Sequence, residues 1–437
     1  LFGTDHRGAL EAAQRFVGRQ PLPPRFALGY WWSRYWCYTD RDLERMADDL
    51  ERMGVPLDVM VIDMDWHREG WTGFSWDEGY FPDPAEFLSS MSERGVRVAL
   101  NLHPADGVGP HEDRFPDFVR HLGLDPEQTE WVPFDCTDPA FMRGYFDLLL
   151  RPHESLGVRF WWLDWQQGTE TKIPGLDPLT WLNHLHWQDY LEHHPEKRPL
   201  FFSRYGGLGS GRYPVGFSGD AFISWESLRY QAYFTATAAN VLYGHWSHDI
   251  GGHLGESTDS ELFTRWMQFG VFSPILRTHA AKWNPKYRFF WDHDDPYRSL
   301  MVEAIRRRYE LVPYLYTENR RAHETGVSLC HPLYYEMPEE ERAYGEHHCY
   351  LFGSQMVVAP VVEPRDPVSG LAAARAELPP GRWFEESTGT LVRGGAGWSA
   401  EVGLSEVPCF LRAGSVIPGQ QVPERTTFGG YRDLIVT

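Results

Sequence analysis

The stretch LDVMVIDMDW, residues 57–66, is an apolar run that ends on acidic side chains. Runs of this length that are rich in Val, Ile and Met are typical of strands buried on both faces of a sheet. The run follows RDLERMADDLERMGV, residues 41–55, whose apolar positions recur at helical spacing. A buried strand next to an amphipathic helix is the repeating unit of a parallel α/β fold.

Similar apolar runs recur along the first 320 residues. We predict eight strands, at residues 26–32, 57–66, 96–103, 158–165, 199–205, 219–225, 239–246 and 271–279. Helical stretches separate several of them, as at residues 41–55 and 179–194. Eight strands alternating with helices predict a (β/α)8 TIM barrel over residues 22–325, and an open doubly wound sheet is the alternative.

The sequence pattern changes after about residue 325. Short runs rich in Val, Phe and Tyr are separated by Gly and Pro, as in Pro379-Pro380-Gly381. This pattern predicts a small antiparallel β-sandwich domain over residues 326–437. The final residues, YRDLIVT, have the pattern of a further strand, which leaves open that the domain is truncated.

Composition limits the partners of the chain. Its 41 Lys and Arg against 61 Asp and Glu leave a formal net charge of −20, so a nucleic acid or an anionic membrane is not expected as a partner. The chain also has 19 Trp, 21 Tyr and 26 Phe. Indole rings and carboxylates together suit a carbohydrate, although a Trp-rich core explains the aromatic content equally well. An oligomer is possible but cannot be read from the sequence.

Other features of the sequence bear on the cellular compartment of the protein. Charged residues interrupt every apolar run before 18 residues, so no transmembrane helix is expected. Five widely spaced cysteines resemble neither a disulfide framework nor a zinc site, which favours reduced thiols in a cytoplasmic setting. The chain begins with Leu1 and shows no signal-peptide pattern, but a preceding segment, and with it secretion, stays open.

Polar residues end nearly every predicted barrel strand. Catalytic groups of such barrels lie at the carboxyl ends of the strands, so these residues predict a polar active site. They are Asp63, Asp65, His103, Asp164, Arg204, Asp220, Asp249 and His279.

Two of these carboxylates are the candidate catalytic pair. Asp164 follows FWWL, and its neighbours Trp162 and Trp165 are candidate surfaces for stacking a sugar ring. Asp220 follows RYPVGFSG, where Phe217 is a further sugar-contact candidate. Two carboxylates facing one pocket suit glycoside hydrolysis, but their spacing alone does not assign a role to either.

Metal and nucleotide chemistry is less favoured. Asp63-Met64-Asp65 has the form of a metal-binding DxD motif, but nothing else indicates a nucleotide site. The HxH at residues 184–186 lies in a helical pattern, not on the first strand. A metal cluster drawing on His245, His248, Asp249 and His253 is a minor alternative. None of these signals is the favoured interpretation of the site.

In order and spacing, these segments together resemble glycoside hydrolase family 31, the retaining α-glucosidase and α-xylosidase family. The similar segments are QPLPPRFALGYWWSRY, VIDMDWH, FWWLDWQQG, SRYGGLGSGRYPVGFSGDAFISWESL, WSHDIGGH and FGVFSPILRTH. The resemblance covers nearly the whole chain.

The resemblance implies a role for individual residues. It implies that Asp164 is the nucleophile and that Asp220 is the acid/base. It implies sugar-hydroxyl binding by Asp63, Arg204 and His279, and a sugar-binding or structural role for Asp249.

The sequence departs from the usual pattern of the family in two places. Asp164 is followed by Trp165-Gln166-Gln167, where most α-glucosidases of the family have an acidic ending, so the preferred sugar stays open. Members of the family also usually have a large N-terminal β-domain. We expect residues 1–21 to be the helical connection from such a domain, which is missing from this chain.

The resemblance implies double displacement on terminal non-reducing α-linked sugars, most like an α-glucosidase, with a carboxyl separation of ~5–6 Å. It also implies that no metal and no organic cofactor is required. A retaining α-galactosidase, an α-N-acetylgalactosaminidase or an α-glucosyltransferase is the alternative on the same scaffold. Outside that chemistry, a non-catalytic carbohydrate-binding barrel and a metal-dependent hydrolase barrel remain.

Overall fold

A computed structural model of the chain describes residues 1–164, 168–204, 207–282, 288–345, 348–423 and 434–436. Within these residues, eight parallel strands follow one another around a barrel. They are β1 (Tyr30–Arg34), β2 (Val59–Ile62), β3 (Arg97–Leu102), β4 (Phe160–Leu163), β5 (Phe202–Arg204), β6 (Gly216–Phe217), β7 (Trp246–Ser247) and β8 (Leu276–Thr278).

The order of the strands in the sheet is β7-β6-β5-β4-β3-β2-β1-β8. Closure is made just beyond β7, where Ile250 forms a parallel bridge with Thr278. The backbone N–H of Ile250 donates to the carbonyl of Arg277 at 3.2 Å. The predicted TIM barrel is therefore confirmed, and the open doubly wound sheet is not the fold.

Helices surround the barrel and link it to the rest of the chain. They are α1 (His6–Val17), α2 (Asp40–Arg52), α3 (Pro84–Glu93), α4 (Phe115–His121), α5 (Pro139–Gly144), α6 (Arg151–Leu156), α7 (Pro178–His193), α8 (Trp225–Thr237), α9 (Ser260–Val271), α10 (Tyr297–Glu310) and α11 (Val312–Thr325), with a π-helical turn at Tyr145–Leu150 between α5 and α6.

Side-chain caps define where several helices begin. Thr39 and Asp42 form a capping box at α2, in which each side chain accepts a hydrogen bond from the other residue's backbone N–H. Asp83, Asp177 and Asp259 cap α3, α7 and α9 by accepting from the backbone of the first turn.

Two strand predictions were misplaced. The sixth strand is Gly216–Phe217, before the predicted residues 219–225, and the seventh is Trp246–Ser247 at the end of the predicted residues 239–246. Ala238–Val241 is instead a short 3-10 helix. The apolar residues of these two regions lie mostly in turns and helices outside the sheet, and Phe222 and Val241 are exposed, so hydrophobicity alone misplaced the strands.

Alternate residues along the barrel strands belong to two hydrophobic clusters. Tyr30, Trp32, Met60 and Ile62 pack outward in the cluster shared with the helices, whereas Trp31 and Val61 join a second cluster inside the barrel. The period of two of a β-strand separates the faces in this way. The second cluster consists of Ala27, Trp31, Val59, Val61, Ala99, Phe160, Trp162, Leu200, Phe202, Val215, Phe217 and Ile275.

The domain after the barrel is antiparallel β-structure, as predicted. Its strands are β9 (Cys330–His331), β10 (Tyr350–Phe352), β11 (Met356–Val358), β12 (Ala372–Glu377), β13 (Arg382–Glu385), β14 (Leu391–Arg393), β15 (Gly397–Val402), β16 (Cys409–Arg412), β17 (Pro418–Gln420) and β18 (Leu434–Val436). A six-stranded sheet has the order β14-β13-β16-β11-β10-β9, and β12 pairs with β15 in a separate ribbon.

The ribbon packs on the larger sheet. Ala376 of β12 and Trp398 of β15 join Val357, Trp383 and Phe410 in one hydrophobic cluster. The sequence of β12, AAARAE, has weak β propensity. Its pairing with β15, and the burial of every second alanine, provide the strand geometry instead.

Buried arginines connect the two domains and brace the barrel. Arg265 of α9 donates to the carbonyls of Gly403 and Glu406 at 2.9 Å each. Arg308 of α10 donates to four carbonyls, including that of Leu28 before β1 at 2.7 Å and that of Val271 at 2.8 Å. Each guanidinium therefore satisfies backbone acceptors that would otherwise be buried without a donor.

Among the described residues, no helix is both long and apolar enough to cross a lipid bilayer. All five cysteines are free thiols, and all but Cys37 are buried.

Candidate active site

Every second residue along the barrel strands points inward, and this places the strand-end residues in one site. Asp63 comes two residues after inward-facing Val61, Asp164 two after Trp162, and Arg204 two after Phe202. These residues therefore continue the inner face beyond the hydrophobic layer, at the C-terminal mouth of the barrel. The structure brings together the predicted set at this mouth.

Asp164 is the most tightly held carboxylate of the site. Its Oδ1 accepts a hydrogen bond from Nε of Arg204 at 2.5 Å, and its Oδ2 lies 3.3 Å from Nε2 of His103. Burial raises the pKa of the Asp164 carboxyl, but the hydrogen bond from His103 and the charge of Arg204 outweigh it, so the net pKa lies well below its usual range. Asp164 is therefore an anion at neutral pH.

Asp220 contacts the same guanidinium through a second nitrogen. Nη2 of Arg204 donates to Oδ1 of Asp220 at 3.2 Å. The side chain of Asp220 is 42% exposed, whereas that of Asp164 is 8% exposed. One arginine thus contacts a buried carboxylate and a solvent-facing one.

Arg204 is itself fixed by packing. Its guanidinium carbon lies 4.9 Å from the centre of the Phe217 ring, a cation–π contact. Gly219 leaves the space it needs, because a Cβ at that position would lie 2.4 Å from Nη1 of Arg204. Gly219 also has a φ of +73°, which favours glycine.

Asp63 and His279 form a second pair. Nε2 of His279 lies 3.9 Å from Oδ2 of Asp63, and Nδ1 of His279 shares a hydrogen bond of 2.7 Å with Oγ of Ser33. Burial, helped by the neighbouring carboxylates, raises the pKa of Asp63 to about 8. Burial, with the nearby positive charges, holds the pKa of His279 well below its usual range, so its ring is neutral.

Asp249 is buried in an ion pair. It accepts from Nη2 of Arg277, and both side chains are inaccessible to solvent. Nε of Arg277 also donates to Oγ of Ser247 at 2.9 Å. The other oxygen of Asp249 accepts from the backbone N–H of Ala221 at 3.2 Å. The carboxylate of Asp249 therefore holds the loop that carries Asp220.

The aromatic candidates differ from the polar ones. Trp162 and Phe217 are only 2% and 1% exposed and pack on one another, with ring centres 5.4 Å apart. Trp162 also meets the ring of His279 edge-on at 5.4 Å. These rings form the apolar floor under Arg204 and His279. The predicted sugar contact Trp165 lies outside the described residues.

Two histidines of the site have no catalytic or substrate-binding role assigned from the sequence. His103 contacts Asp164, and His253 lies 3.9 Å from Asp220 between Nε2 and Oδ1. His103 was visible as the polar residue that ends the third strand. No local signal in the sequence indicated that the His253 ring faces the acid/base candidate.

The HxH and DxD motifs make contacts with other side chains. His184 shares a hydrogen bond with the hydroxyl of Tyr213, and His186 shares one with that of Tyr145. In the DxD motif, Asp65 pairs with Nζ of Lys282 at 2.8 Å.

The four residues considered as a metal cluster, His245, His248, Asp249 and His253, do not all come together in the structure. His245 contacts the carbonyl of Pro21, and His248 accepts from the indole N–H of Trp266. Ligand atoms of Asp220, Asp249 and His253 do lie within 4.8 Å of one another. However, Arg204 and Arg277 already supply the positive charge at the two carboxylates.

A closed (β/α)8 barrel with two carboxylates at its C-terminal mouth, one ionised and buried and one solvent-facing, is the arrangement found in glycoside hydrolase barrels. The comparison with protein families identifies which group of these barrels it is. The glycosyl hydrolases family 31 TIM-barrel domain matches residues 20–318, and the glycosyl hydrolase family 31 C-terminal domain matches residues 326–417. The chain therefore belongs to glycosyl hydrolase family 31.

Curated relatives are similar along nearly the whole chain. "Alpha-glucosidase 2" of Bacillus thermoamyloliquefaciens is 27% identical over 95% of this chain and 56% of its own length. "Alpha-xylosidase" of Saccharolobus solfataricus is 26% identical over 100% of this chain and 61% of its own length. The chain thus spans little more than half the length of these relatives.

Solved structures share the fold. A family 31 dextranase of Flavobacterium johnsoniae, solved with isomaltotriose, superposes with a TM-score of 0.87 at 23% identity, over 100% of this chain and 57% of that one. A family 31 α-xylosidase of Xanthomonas citri superposes with a TM-score of 0.83, also at 23% identity, over 99% of this chain and 51% of that one.

Proposed function

We propose that this chain is the catalytic part of a retaining α-glycoside hydrolase that cleaves terminal non-reducing α-linked sugars, in the manner of an α-glucosidase. The observation that supports this proposal most strongly is the contact of Arg204 with both Asp164 and Asp220. A guanidinium can span the ~5–5.5 Å that separates the carboxyl groups of a retaining glycosidase.

In the first step, Asp164 attacks the anomeric carbon while Asp220 protonates the departing oxygen. The low pKa of Asp164 keeps it ionised and able to attack, because Arg204 and His103 stabilise its negative charge. Asp220, with its solvent-facing side chain, can exchange protons with water between turnovers.

In the second step, Asp220 takes a proton from water, and the resulting hydroxide attacks the anomeric carbon. The bond from the sugar to Asp164 breaks, and the two inversions leave the product in the α configuration. An acceptor sugar in place of water would give transglycosylation. The proposed mechanism uses no metal and no organic cofactor.

The hydroxyl groups of the sugar are assigned to three residues. Asp63 and His279 adjoin at the mouth of the barrel, and a protonated Asp63 can donate a hydrogen bond as well as accept one. Arg204 is the third, and its contacts with a sugar would come from the same guanidinium that contacts both carboxylates. We assign Asp249 a structural role, since its carboxylate is buried and paired with Arg277.

The choice of sugar rests on the relatives. Among curated relatives are α-glucosidases, α-xylosidases and "Probable glucan 1,3-alpha-glucosidase" of Oryza sativa. An α-glucoside is therefore the first substrate to test, with an α-xyloside next.

The experiment is a panel of 4-nitrophenyl α-glycosides, comprising glucoside, xyloside, galactoside and N-acetylgalactosaminide, with NMR of the anomer formed first. We expect release from the α-glucoside and an α-anomeric product. A β-anomer formed first would contradict retention. Cleavage of only the galactoside or the N-acetylgalactosaminide would reassign the sugar. Release from no glycoside, with sugar binding retained, would indicate a binding barrel.

A further inference from the structure

The loop that carries Asp220 is joined by backbone hydrogen bonds to the segment after β7. The N–H groups of His253 and Leu254 both donate to the carbonyl of Ala221, at 2.6 and 2.9 Å. The N–H of Ile223 returns a bond to the carbonyl of Leu254 at 2.8 Å. These bonds set the register between the two segments and place residue 253 beside residue 220.

The ring of His253 is clamped in that position. It stacks on the ring of His279 with centres 4.8 Å apart and planes inclined by 13°. Nη2 of Arg288 donates to the carbonyl of His253 at 3.0 Å, which fixes the backbone of that residue. The side chain is largely buried. A ring held on its face and through its backbone can present only its edges to other groups.

One of these edges faces the acid/base carboxylate. Nε2 of His253 lies 3.9 Å from Oδ1 of Asp220, whereas Nδ1 is buried with no hydrogen-bond partner among the described residues. Shortening the contact to Asp220 by about 1 Å would make a hydrogen bond. The ring nitrogen that can reach a partner is therefore the one directed at Asp220.

The charged and titratable groups around His253 come from several elements. Asp220 and Asp249 face it with their carboxylates, and His279 with its neutral ring. Arg204 lies beyond Asp220, and Arg277 neutralises Asp249. Asp220 is thus the negative charge at this edge that a second N–H donor can still stabilise.

We propose that His253 is a positioning residue for the acid/base: its Nε2–H donates to the carboxylate of Asp220 whenever that group is ionised. This inference rests on the proposed function. When Asp220 gives its proton to the leaving oxygen, the new negative charge gains a donor from His253, and His253 keeps its own proton. When Asp220 takes a proton from water, that bond weakens again. The net proton count of His253 is unchanged over the cycle.

This role has a kinetic consequence. Stabilising ionised Asp220 makes it a stronger acid, which helps only when the leaving group needs protonation. A glycosyl fluoride, whose leaving group departs with little need of a proton, should not depend on His253. A methyl α-glycoside, whose leaving group is poor, should depend on it.

The test uses three replacements that differ in where they place a donor. His253→Phe keeps a ring for the stack and has no N–H. His253→Gln can place its amide N–H near the original Nε2, and His253→Asn places it near Nδ1. The matched control is His186→Gln, a buried histidine of α7 that hydrogen bonds to Tyr145 away from the site. Thermal unfolding and binding of a glucose-like iminosugar report whether each variant keeps a folded pocket.

We expect kcat/KM for the methyl glycoside to fall about 10-fold or more in His253→Phe and His253→Asn, and by no more than about 3-fold in His253→Gln. For the glycosyl fluoride, all three variants should stay within about 3-fold of the parent. In His253→Phe the alkaline limb of the pH profile should move to higher pH, because loss of the donor favours the protonated carboxyl.

Equal losses on both substrates, or a Gln variant no better than Asn, would overturn the positioning role and leave His253 as a packing residue only. A parent protein that cleaves no α-glycoside would overturn the proposed function and this inference together. If the parent is active but the loss of activity in the variants does not depend on the leaving group, this inference alone is overturned.

Discussion

Nε of Arg204 donates a hydrogen bond of 2.5 Å to Oδ1 of Asp164, and the two residues come from neighbouring strands of the barrel. The same guanidinium reaches Asp220 through Nη2 at 3.2 Å. Arg204 therefore orders the two carboxylates relative to one another, and it stabilises the negative charge of Asp164 in a buried setting.

Replacements of Arg204 should distinguish the effect of its positive charge from the effect of its contacts with both carboxylates. Arg204→Lys keeps the positive charge, but a single ammonium cannot hold both carboxylates, so kcat/KM should fall by about 10²–10³. Arg204→Gln should fall further, and the acid limb of its pH profile should move to higher pH because the pKa of Asp164 rises. Steady-state kinetics from pH 3 to 8 checks this, with the exposed Arg212→Lys as the matched control. Full activity of Arg204→Lys would contradict it.

Replacing Asp164 and replacing Asp220 should have different effects on the covalent intermediate. Asp220→Ala should still transfer the sugar from a glycosyl fluoride to Asp164 and accumulate a covalent adduct, since breakdown needs the base. Asp164→Ala should form none, and its kcat should fall by several orders of magnitude. Intact mass spectrometry after rapid mixing measures the adduct. An adduct of equal size in both variants would place the nucleophile elsewhere.

His103 should help to keep the pKa of the Asp164 carboxyl low. Its contact with Asp164 helps to hold the pKa of that carboxyl low, so His103→Phe should move the acid limb of kcat/KM to higher pH and lower kcat about 10-fold. The control is His121→Phe, because His121 is exposed and its Nε2 shares a hydrogen bond with the carbonyl of Ala140, far along the chain from Asp164. An unchanged acid limb with unchanged kcat would show that Arg204 alone keeps Asp164 ionised.

Asp63 should make stability depend on pH. Its pKa is raised to about 8 in the folded state and is near 4 when unfolded, so its contribution is fully present below about pH 4 and is lost as the pH rises to about 8. The free energy of unfolding should therefore fall by up to ~1.4 kcal/mol per pH unit across that window. Urea unfolding at pH 5 to 8.5 measures this slope.

The slope should flatten in Asp63→Asn, which cannot ionise. Asp125→Asn, an exposed aspartate of a surface turn, is the matched control and should keep the parental slope. A parental slope in Asp63→Asn would mean that another buried group is responsible.

The pair of Asp249 and Arg277 should be a structural unit. Removing one partner from a fully buried ion pair leaves the other uncompensated, so Asp249→Ala and Arg277→Met should each cost about 3–5 kcal/mol of unfolding free energy. The double variant should cost clearly less than the two together. Additive losses in the double-mutant cycle would show that the two side chains act independently.

Much of the site could be predicted because strand periodicity and barrel topology are local. Polar residues that end the strands of such a barrel lie at its mouth, and this rule predicted the positions of Asp63, Asp164 and Arg204 that the structure shows. The alternation of eight strands with helices likewise predicted the barrel, although β6 and β7 are only two residues long, β6 lies just before its predicted range and β7 at the end of its range.

Other features depend on contacts between distant segments. β12 forms because an alanine-rich run meets β15, and His253 faces Asp220 because two loops join through the carbonyl of Ala221. The buried positions of Trp162 and Phe217 also depend on how the barrel interior fills, which no local pattern reports.

By itself, the sequence determined the order of strands and helices, the carboxylates at the strand ends and the resemblance to family 31, since these depend on residue type and spacing. Only the tertiary structure decided that Asp164 is held ionised, that Asp220 is exposed, and which histidines and arginines contact each carboxylate. Those properties depend on burial and on charges a few ångströms away, and both arise only when residues far apart in the chain are packed together.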